Sequence, residues 1–159
     1  MVLCTPTDTQ ILMTREFDAP VPLVWRAYTE PQFVSRWWPG KRGTMRSCEI
    51  DFREGGAWRY VMTAAEGFEV AFHGEYREIV AGERIVTTEV FEGAPGSGIV
   101  VTNTFIADGE RTRLEMLSEC GSQELRDMIL GSGMETGAQE GLDILEAIAI
   151  ELHDAAAPA

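Results

Sequence analysis

The strongest periodic pattern of the chain lies near its C-terminus and predicts a long helix over residues 133–152. Apolar and small residues recur there at alternating spacings of four and three, which places them on one face of an α-helix. Gly137 and Gly141 stand inside this helix, although an interior glycine costs about 1 kcal/mol relative to alanine. They indicate either a close approach between the helix and a sheet or room left for something beside the helix. The predicted inward face consists of Met134, Ala138, Gly141, Leu145, Ile148 and Leu152.

Upstream of this helix the pattern changes to a period of two, which predicts β-strands. A proline suits the first turn of each of two short helices, which are expected over 20–28 and 31–36. Ser122 offers an N-cap for a third short helix over 123–130. Short turns join consecutive strands, and this order favours an α+β fold in which an antiparallel meander wraps the last helix. The predicted strands are 10–17, 44–52, 57–63, 68–80, 84–91, 99–107 and 112–119.

Composition narrows the classes of function. Of the 159 residues, 45% are hydrophobic and 25% are charged, as expected of one globular domain. The net charge of −13 argues against nucleic acid or an anionic membrane as a partner, because both attract Lys and Arg. Three cysteines without CxxC spacing predict reduced thiols and a cytoplasmic protein. No segment approaches the roughly 18 apolar residues of a membrane span. We expect a single domain over 10–152, with flexible termini at 1–9 and 153–159.

Several short motifs stand in a fixed order along the chain. They are REFDAP (15–20), WWPG (37–40), FREGGAWRY (52–60), HGEY (73–76), ERIV (83–86), NTF (103–105) and GMETG (133–137). With them the sequence resembles the activator of Hsp90 ATPase homologue 1-like family, within the START/Bet v 1-like (SRPBCC) superfamily. The resemblance implies a helix-grip fold, in which a curved antiparallel sheet grips a long C-terminal helix with a cavity between them. It implies no single function, because the superfamily includes lipid and hormone carriers, polyketide aromatase/cyclases and chaperone-stimulating domains.

The implied cavity suggests a set of candidate ligand-binding residues. Strand alternation places Trp58, Tyr60, Phe72 and Met116 on the concave face of the sheet, and Met134 faces them from the helix. These side chains suit an apolar pocket, and the alternative is that they simply fill a core. A buried Asn needs partners within the protein or from a ligand. The predicted cavity-lining residues are Trp38, Trp58, Tyr60, Phe72, Asn103, Met116, Met134 and Ala138, with no cofactor and no metal.

Adjacent tryptophans at 37 and 38 point in different directions and are followed by a turn. They indicate either an aromatic plug on the core or a lip over a pocket or contact surface. The basic residues that follow form a local patch in an acidic protein and could be solvated or meet an acidic partner. These residues are Lys41, Arg42 and Arg46.

Signals for catalysis are sparse, and we predict no catalytic residue. His73 lies mid-strand beside Gly74 and would need a partner to act as a base, while His153 lies near a fraying end. Glu75 and Glu89 could be inward carboxylates with raised pKa values or part of a solvated, ion-paired face. No nucleophile motif and no His/Cys cluster suited to zinc occurs, and Cys48 and Cys120 would be reactive only in an exposed, electropositive setting.

Three hypotheses follow from these observations. The first is a binding protein for a small hydrophobic or aromatic molecule, which a space filled by side chains would count against. The second is a cyclase-like enzyme that uses the same pocket, with Tyr60, Asn103 or Glu75 as its polar group. The third is a chaperone-interacting module that uses the Trp37/Trp38 and Lys41/Arg42 surface. The protein is expected to be a monomer or a homodimer.

Overall fold

A computed structural model describes residues 1–156 of the chain, in which eight strands and four helices form one layer of sheet and one of helices. The strands are β1 (Val2–Cys4), β2 (Gln10–Phe17), β3 (Gly43–Ile50), β4 (Ala57–Ala64), β5 (Glu69–Val80), β6 (Arg84–Phe91), β7 (Ile99–Asp108) and β8 (Arg111–Glu119). The helices are α1 (Val21–Thr29), α2 (Pro31–Trp37), α3 (Gln123–Gly131) and α4 (Met134–Ala156).

The sheet is antiparallel throughout and has the order β1-β2-β8-β7-β6-β5-β4-β3. Strands β3 to β8 pair consecutively, so they form the predicted meander, and β2 closes its end by pairing with β8. The sheet curves around α4. This arrangement is the helix-grip fold, and the predicted α+β class is confirmed.

The register defines which side chains face α4. Arg15 of β2 donates to Asp143 and Glu146 of α4, so its parity points inward. Arg15 lies opposite Leu114 of β8, which lies opposite Phe105 of β7. Following these pairs across the sheet assigns the inner side of every strand. Trp58, Tyr60, Phe72, Asn103 and Met116 all fall on that side, as predicted, although bulges interrupt the register in β3 and β5.

Helix α4 presents the predicted face to the rest of the protein. Gly141, Leu145 and Ile148 are buried, and the remaining predicted positions are half-buried. Gly141 marks a close approach, but its neighbour is α2 and not the sheet, because a Cβ there would lie 2.8 Å from the Trp37 carbonyl oxygen. Gly137 has ordinary surroundings, where a Cβ would lie 3.7 Å from the Arg42 guanidinium. Only one of the two helix glycines is therefore required by packing.

The structure differs from the sequence prediction at both ends of the chain. Residues 1–9 were expected to be flexible, but Val2–Cys4 form β1 and pair with Leu12–Thr14 of β2. Three residues are too few to show a periodic pattern, which is why sequence reasoning missed this strand. The helix predicted to stop at 152 continues to Ala156, and the rest of the tail, 157–159, lies outside the described residues.

The turn after β3 also begins earlier than predicted. Strand β3 ends at Ile50, so Phe52 lies in the following turn and not in a strand. Its ring packs edge-on against Trp25 at 6.0 Å and Tyr76 at 5.2 Å between centroids. This aromatic contact connects the turn to α1 and β5.

Candidate ligand site between the sheet and the last helix

Four of the predicted site residues form one continuous aromatic cluster. The Trp38 ring packs edge-on against Tyr60 and Phe72, with centroids 5.2 Å apart in both cases. Trp58 lies 4.6 Å from Tyr60, two residues along the same strand. The cluster forms because β4 and β5 pair Tyr60 with Phe72 on the inner face, and the end of α2 holds Trp38 above them. The aromatic cluster is defined here as Trp38, Trp58, Tyr60 and Phe72.

The two adjacent tryptophans point in different directions, as predicted, and both pack on the protein. Trp37 stacks on Tyr28 at 5.3 Å, and its indole N–H donates to the Ala27 carbonyl oxygen at 2.8 Å. Trp38 belongs to the aromatic cluster. Arg42 remains exposed and lies along the first turns of α4, with its Nε 3.5 Å from Glu140 Oε1. A contact surface at this place therefore has charged groups available but little exposed indole.

Asn103 and Met116 face each other on neighbouring strands and are almost fully enclosed, with 3% and 6% of their surfaces exposed. The Oδ1 atom of Asn103 is buried and has no hydrogen-bond partner among the described residues. An unpaired buried acceptor costs about 1–3 kcal/mol, so it needs an explanation in packing or in ligand binding. Met134 and Ala138 are half-buried on α4 and pack against the same core.

The structure distinguishes the two glutamates that the sequence left equivalent. Glu75 lies on the outer face and is exposed. Glu89 is on the inner face, because it pairs with Ile99 in a register that brings Ile85 opposite the inward Asn103. Burial raises the pKa of the Glu89 carboxyl to about 7. Its surroundings therefore disfavour the charged form, which a solvated face would not do.

Three tyrosines accompany Glu89 in the interior. Burial raises the pKa of Tyr28 from its ordinary value, with a further contribution from the charge of Glu89. The pKa values of Tyr60 and Tyr76 are also raised, chiefly by burial, and the two hydroxyls interact with each other. All three phenols therefore stay protonated and can donate hydrogen bonds at neutral pH. Sequence reasoning named Tyr60 as a site residue but not Tyr76, which shares the parity of Phe72, or Tyr28, whose position depends on how α1 packs against the sheet.

Several of these inward side chains are not fully buried. Tyr28, Tyr60, Phe72 and Glu89 are half-buried although they face away from the outer surface of the sheet. None of the hydrogen bonds found among residues 1–156 involves the Glu89 carboxyl.

Two open depressions of about 480 and 510 Å³ mark the surface, and neither includes Trp38, Tyr60 or Phe72 of the aromatic cluster. The first is on the outer face of the sheet and includes Arg59, His73 and Glu75. The second lies beside the first strand and includes Met1 and Arg111. Neither depression is the cavity that the family resemblance implies, and that cavity stays a prediction.

His73 lies on the outer face in an ion-paired group. Its Nδ1 is 3.0 Å from Glu92 Oε2, and Arg59 donates two hydrogen bonds to the same carboxylate, at 2.8 and 2.9 Å. These two partners lower the pKa of Glu92 to about 2. The group is exposed, and it stabilises a carboxylate in its charged form, which suits a surface ion pair better than a general base.

The remaining candidates show no reactive setting. Burial raises the pKa values of Cys48 and Cys120, which lowers the thiolate fraction on which cysteine reactivity depends. His153 is exposed in the last turn of α4. Among residues 1–156, no three His, Cys, Asp or Glu side chains are placed to hold a metal ion together. Over the same residues, no helix is both long and apolar enough to cross a bilayer.

Comparisons with known proteins agree with this geometry. The family model for "Activator of Hsp90 ATPase homolog 1-like protein" matches residues 18–149. A search of curated proteins finds no match.

Solved structures share the fold over most of the chain. A Rhodobacter sphaeroides protein has a TM-score of 0.87 at 23% identity, covering 94% of this chain and 98% of its own. A Chromobacterium violaceum protein has a TM-score of 0.76 at 30% identity, covering 87% and 96%. CalU16 from Micromonospora echinospora has a TM-score of 0.62 at 25% identity, covering 88% and 65%. The names of these proteins state no ligand and no reaction.

Proposed function

We propose a function on the basis that the chain belongs to the activator of Hsp90 ATPase homologue 1-like family and has the helix-grip fold. The protein binds a small hydrophobic or aromatic molecule between its sheet and α4. The observation that carries the proposal is the aromatic cluster. Tyr60 and Phe72 face the interior and yet remain partly accessible. A ligand that covers this surface gains about 25 cal/mol for each Å² of apolar area removed from water.

The opposite wall of the site suits such a ligand. Met134 and Ala138 of α4 face the sheet with a flexible and a small side chain, respectively. Methionine adapts its shape to irregular neighbours, and alanine leaves room. Aromatic rings on one wall and small or flexible side chains on the other are typical of sites for flat apolar molecules.

A thermal-shift screen tests the proposal. The panel contains hydrophobic acids, flavonoids, sterols and polyketide-like aromatics. A ligand at one hundred times its dissociation constant adds about 2.7 kcal/mol to stability, which for this size of domain raises the melting temperature by roughly 5–10 °C. A saturable shift by one chemical class supports binding, and a flat panel contradicts it.

A pair of matched variants locates the ligand. Met134→Trp fills the space beside α4 and is expected to abolish the shift produced by the best ligand. Met128→Trp makes the same change on α3, where the native side chain is 60% exposed, and is expected to leave the shift unchanged. Equal shifts in both variants would mean that the ligand binds elsewhere.

A cyclase-like enzyme that uses the same site is a second candidate. Of its three predicted polar groups, Tyr60 has support, because its hydroxyl lies on the inner face beside that of Tyr76. Glu75 faces outward, and the Asn103 oxygen is enclosed. With a polyketide-like substrate, Tyr60→Phe is expected to stop turnover and keep binding. Loss of both together would indicate a role in binding alone.

A chaperone partner is the third candidate, and it is favoured by the description of the family. Lys41 and Arg42 supply exposed charge for such a contact. The test is a pull-down with Hsp90 at modest salt, and recovery of no complex would remove this candidate.

A further inference from the structure

We propose that the sheet bends at a seam between β5 and β6, and that this bending opens the aromatic cluster to a ligand. The seam is defined as the four residues Gly74, Glu75, Thr88 and Glu89. Its role in admitting a ligand rests on the function proposed above, whereas the bending itself does not. Backbone pairing, one hydrogen bond and the packing on both faces of the seam support it.

Strands β5 and β6 are paired on both sides of the seam but not within it. His73 pairs with Val90, and Tyr76 pairs with Thr87. The two residues between these pairs on each strand, all within the described chain, are not paired with each other. A bulge then follows directly, between Tyr76 and Glu78. The pairing of β5 with β6 is therefore broken twice within a few residues.

The ladders on either side of the seam are continuous. Strand β4 pairs with β5 over residues 57–63, and β6 pairs with β7 over 84–89. A broken or bulged ladder bends more easily than a continuous one, because fewer backbone hydrogen bonds fix the angle between the strands. The sheet is therefore divided into a β3–β5 part, which carries Trp58, Tyr60 and Phe72, and a part formed by the remaining strands.

Inside the seam a side chain replaces the backbone as hydrogen-bond acceptor. The Glu75 N–H donates to Thr88 Oγ1 at 2.9 Å. Gly74 has no side chain to pack across the seam, and the Thr88 carbonyl oxygen occupies the place that a Cβ would take. A side-chain hydroxyl rotates, whereas a ladder carbonyl is fixed by its own strand. The bond that joins the strands at this point is therefore adjustable.

The packing on the two faces of the seam does not fix the bend. On the outer face Gly74, Glu75 and Thr88 line the depression of about 480 Å³. On the inner face the Trp58 indole N–H lies beside Gly74, buried and without a hydrogen-bond partner among residues 1–156. A buried donor without a partner destabilises the conformation in which it is buried. Bending that brings an acceptor to this N–H removes that penalty.

Helix α4 is anchored to the part of the sheet that lies beyond the seam. Arg15 of β2 is buried and bound to Asp143 and Glu146 of this helix. Helix α2, whose end holds Trp38, packs closely on α4 at Gly141. Bending at the seam therefore separates the strand side chains of the aromatic cluster from Trp38, and the opened cluster admits a ligand from solvent.

Hydrogen exchange of the ligand-free protein tests the bending. The amide of Glu75 is expected to exchange roughly 100-fold faster than the amides bonded within the continuous β7–β8 ladder. Amides bonded between β4 and β5 should keep their protection, because the β3–β5 part moves as one body. Equal exchange of Glu75 and the β7–β8 amides would overturn the proposal. Rapid exchange across the whole β3–β5 part would also overturn it, since that part would then unfold and not bend.

A matched pair of variants isolates the seam. Thr88→Val keeps the shape of the side chain and removes the acceptor of the Glu75 N–H, so exchange of this amide should rise by a further factor of roughly ten. Thr102→Val makes the same change inside the continuous ladder of β7 and is expected to leave exchange of Glu75 unchanged. Equal rates in the two variants would overturn the assignment of the seam. The wild-type exchange profile decides the matter even if Thr88→Val fails to fold.

Stopped-flow binding of N-phenyl-1-naphthylamine, a neutral fluorescent aromatic molecule, tests the link to ligand entry. Its association rate should be roughly threefold higher for Thr88→Val than for Thr102→Val, because the seam opens more often. Equal association rates would overturn entry through the seam and leave the proposed function standing. Absence of binding, with a flat thermal-shift panel, would overturn the proposed function together with the role in entry. The exchange profile needs no ligand and still decides whether the sheet bends.

Discussion

Arg15 and Glu89 both point from the sheet into the interior, and the protein treats their charges in opposite ways. Arg15 is only 8% exposed, and its guanidinium donates to Asp143 at 2.5 Å and to Glu146 at 3.0 Å. It also lies over the ring of Phe17, 5.3 Å from the centroid. Among residues 1–156, Glu89 has no ion-pair or side-chain hydrogen-bond partner, and burial raises the pKa of its carboxyl to about 7. Partners therefore stabilise the charged form of Arg15, whereas burial disfavours the charged form of Glu89.

This difference shows that bound partners decide whether an inward charge stabilises the fold. Asp143 and Glu146 join β2 to α4, because each is bound to an Arg15 that cannot easily reach water. Such an anchor stabilises one arrangement of sheet and helix. Glu89 makes no comparable contact among the described residues, so burial of its carboxylate destabilises the folded protein.

The largest expected effect comes from removing the paired guanidinium of Arg15. Arg15→Ala should lower the free energy of unfolding by about 3 kcal/mol, because two charge-assisted contacts and a buried side chain are lost. Arg36→Ala is the control, since Arg36 contacts Glu151 of α4 in a pair that is exposed on both sides. This change should cost less than about 1 kcal/mol. Urea denaturation measures both, and similar losses would refute the distinction between anchor and surface pair.

The next effect concerns Glu89, whose contribution to the free energy of unfolding depends on pH. The folded-state pKa of Glu89 is raised to about 7 from 4.5, so the folded protein holds its proton more tightly than the unfolded chain. Stability is therefore unaffected below pH 4.5 and falls as pH rises toward and past 7. Glu89→Gln removes this dependence and should stabilise the protein at pH 8 relative to the wild type. Residual access of the carboxyl to water limits the gain to on the order of 2 kcal/mol.

The measurement is a pair of urea titrations, at pH 5 and pH 8, for wild type and Glu89→Gln. The difference between the two proteins should appear mainly at pH 8. A constant difference at both pH values would mean that the substitution acts through packing and not through charge.

The smallest effect concerns the two glycines of α4, of which one is in close contact with a neighbouring helix and the other has room for a side chain. Gly141→Ala should destabilise by about 1–2 kcal/mol, because its Cβ presses on the Trp37 carbonyl. Gly137→Ala has room and should stabilise by about 1 kcal/mol through helix propensity. Melting temperatures of the two variants check the signs. Stabilisation by both would show that α2 shifts easily away from α4.

The sequence predicted most of the fold because its elements are long and their patterns are local. The alternation of Trp58 with Tyr60, and the helical recurrence ending at Ile148, can be read within a single segment. Each assigned a face that the structure confirms. Proline and glycine at the segment ends then separated the elements. The strand β1 escaped prediction because its three residues are shorter than any period.

The site was less predictable, because its decisive features depend on pairing between segments. Glu75 and Glu89 alternate with apolar residues in the same way, and only the register shows that one faces out and the other in. The packing of Trp37 on Tyr28 likewise requires two helices to meet. The sequence could nominate these residues, but it could not decide between exposure and burial.

The two free edges of the sheet have a consequence for aggregation. On one side β1 covers β2. Because β1 has only three residues, a strand of a neighbouring molecule could form few hydrogen bonds with it. On the other side β3 is longer, but a bulge between Met45 and Ser47 breaks its register, and Arg46 carries charge at that point. Pairing between the sheets of two molecules is thus disfavoured at one edge by the short strand β1. At the other edge it is disfavoured by the bulge and the charge of β3. Removal of the first four residues would expose the edge of β2 and is expected to increase aggregation.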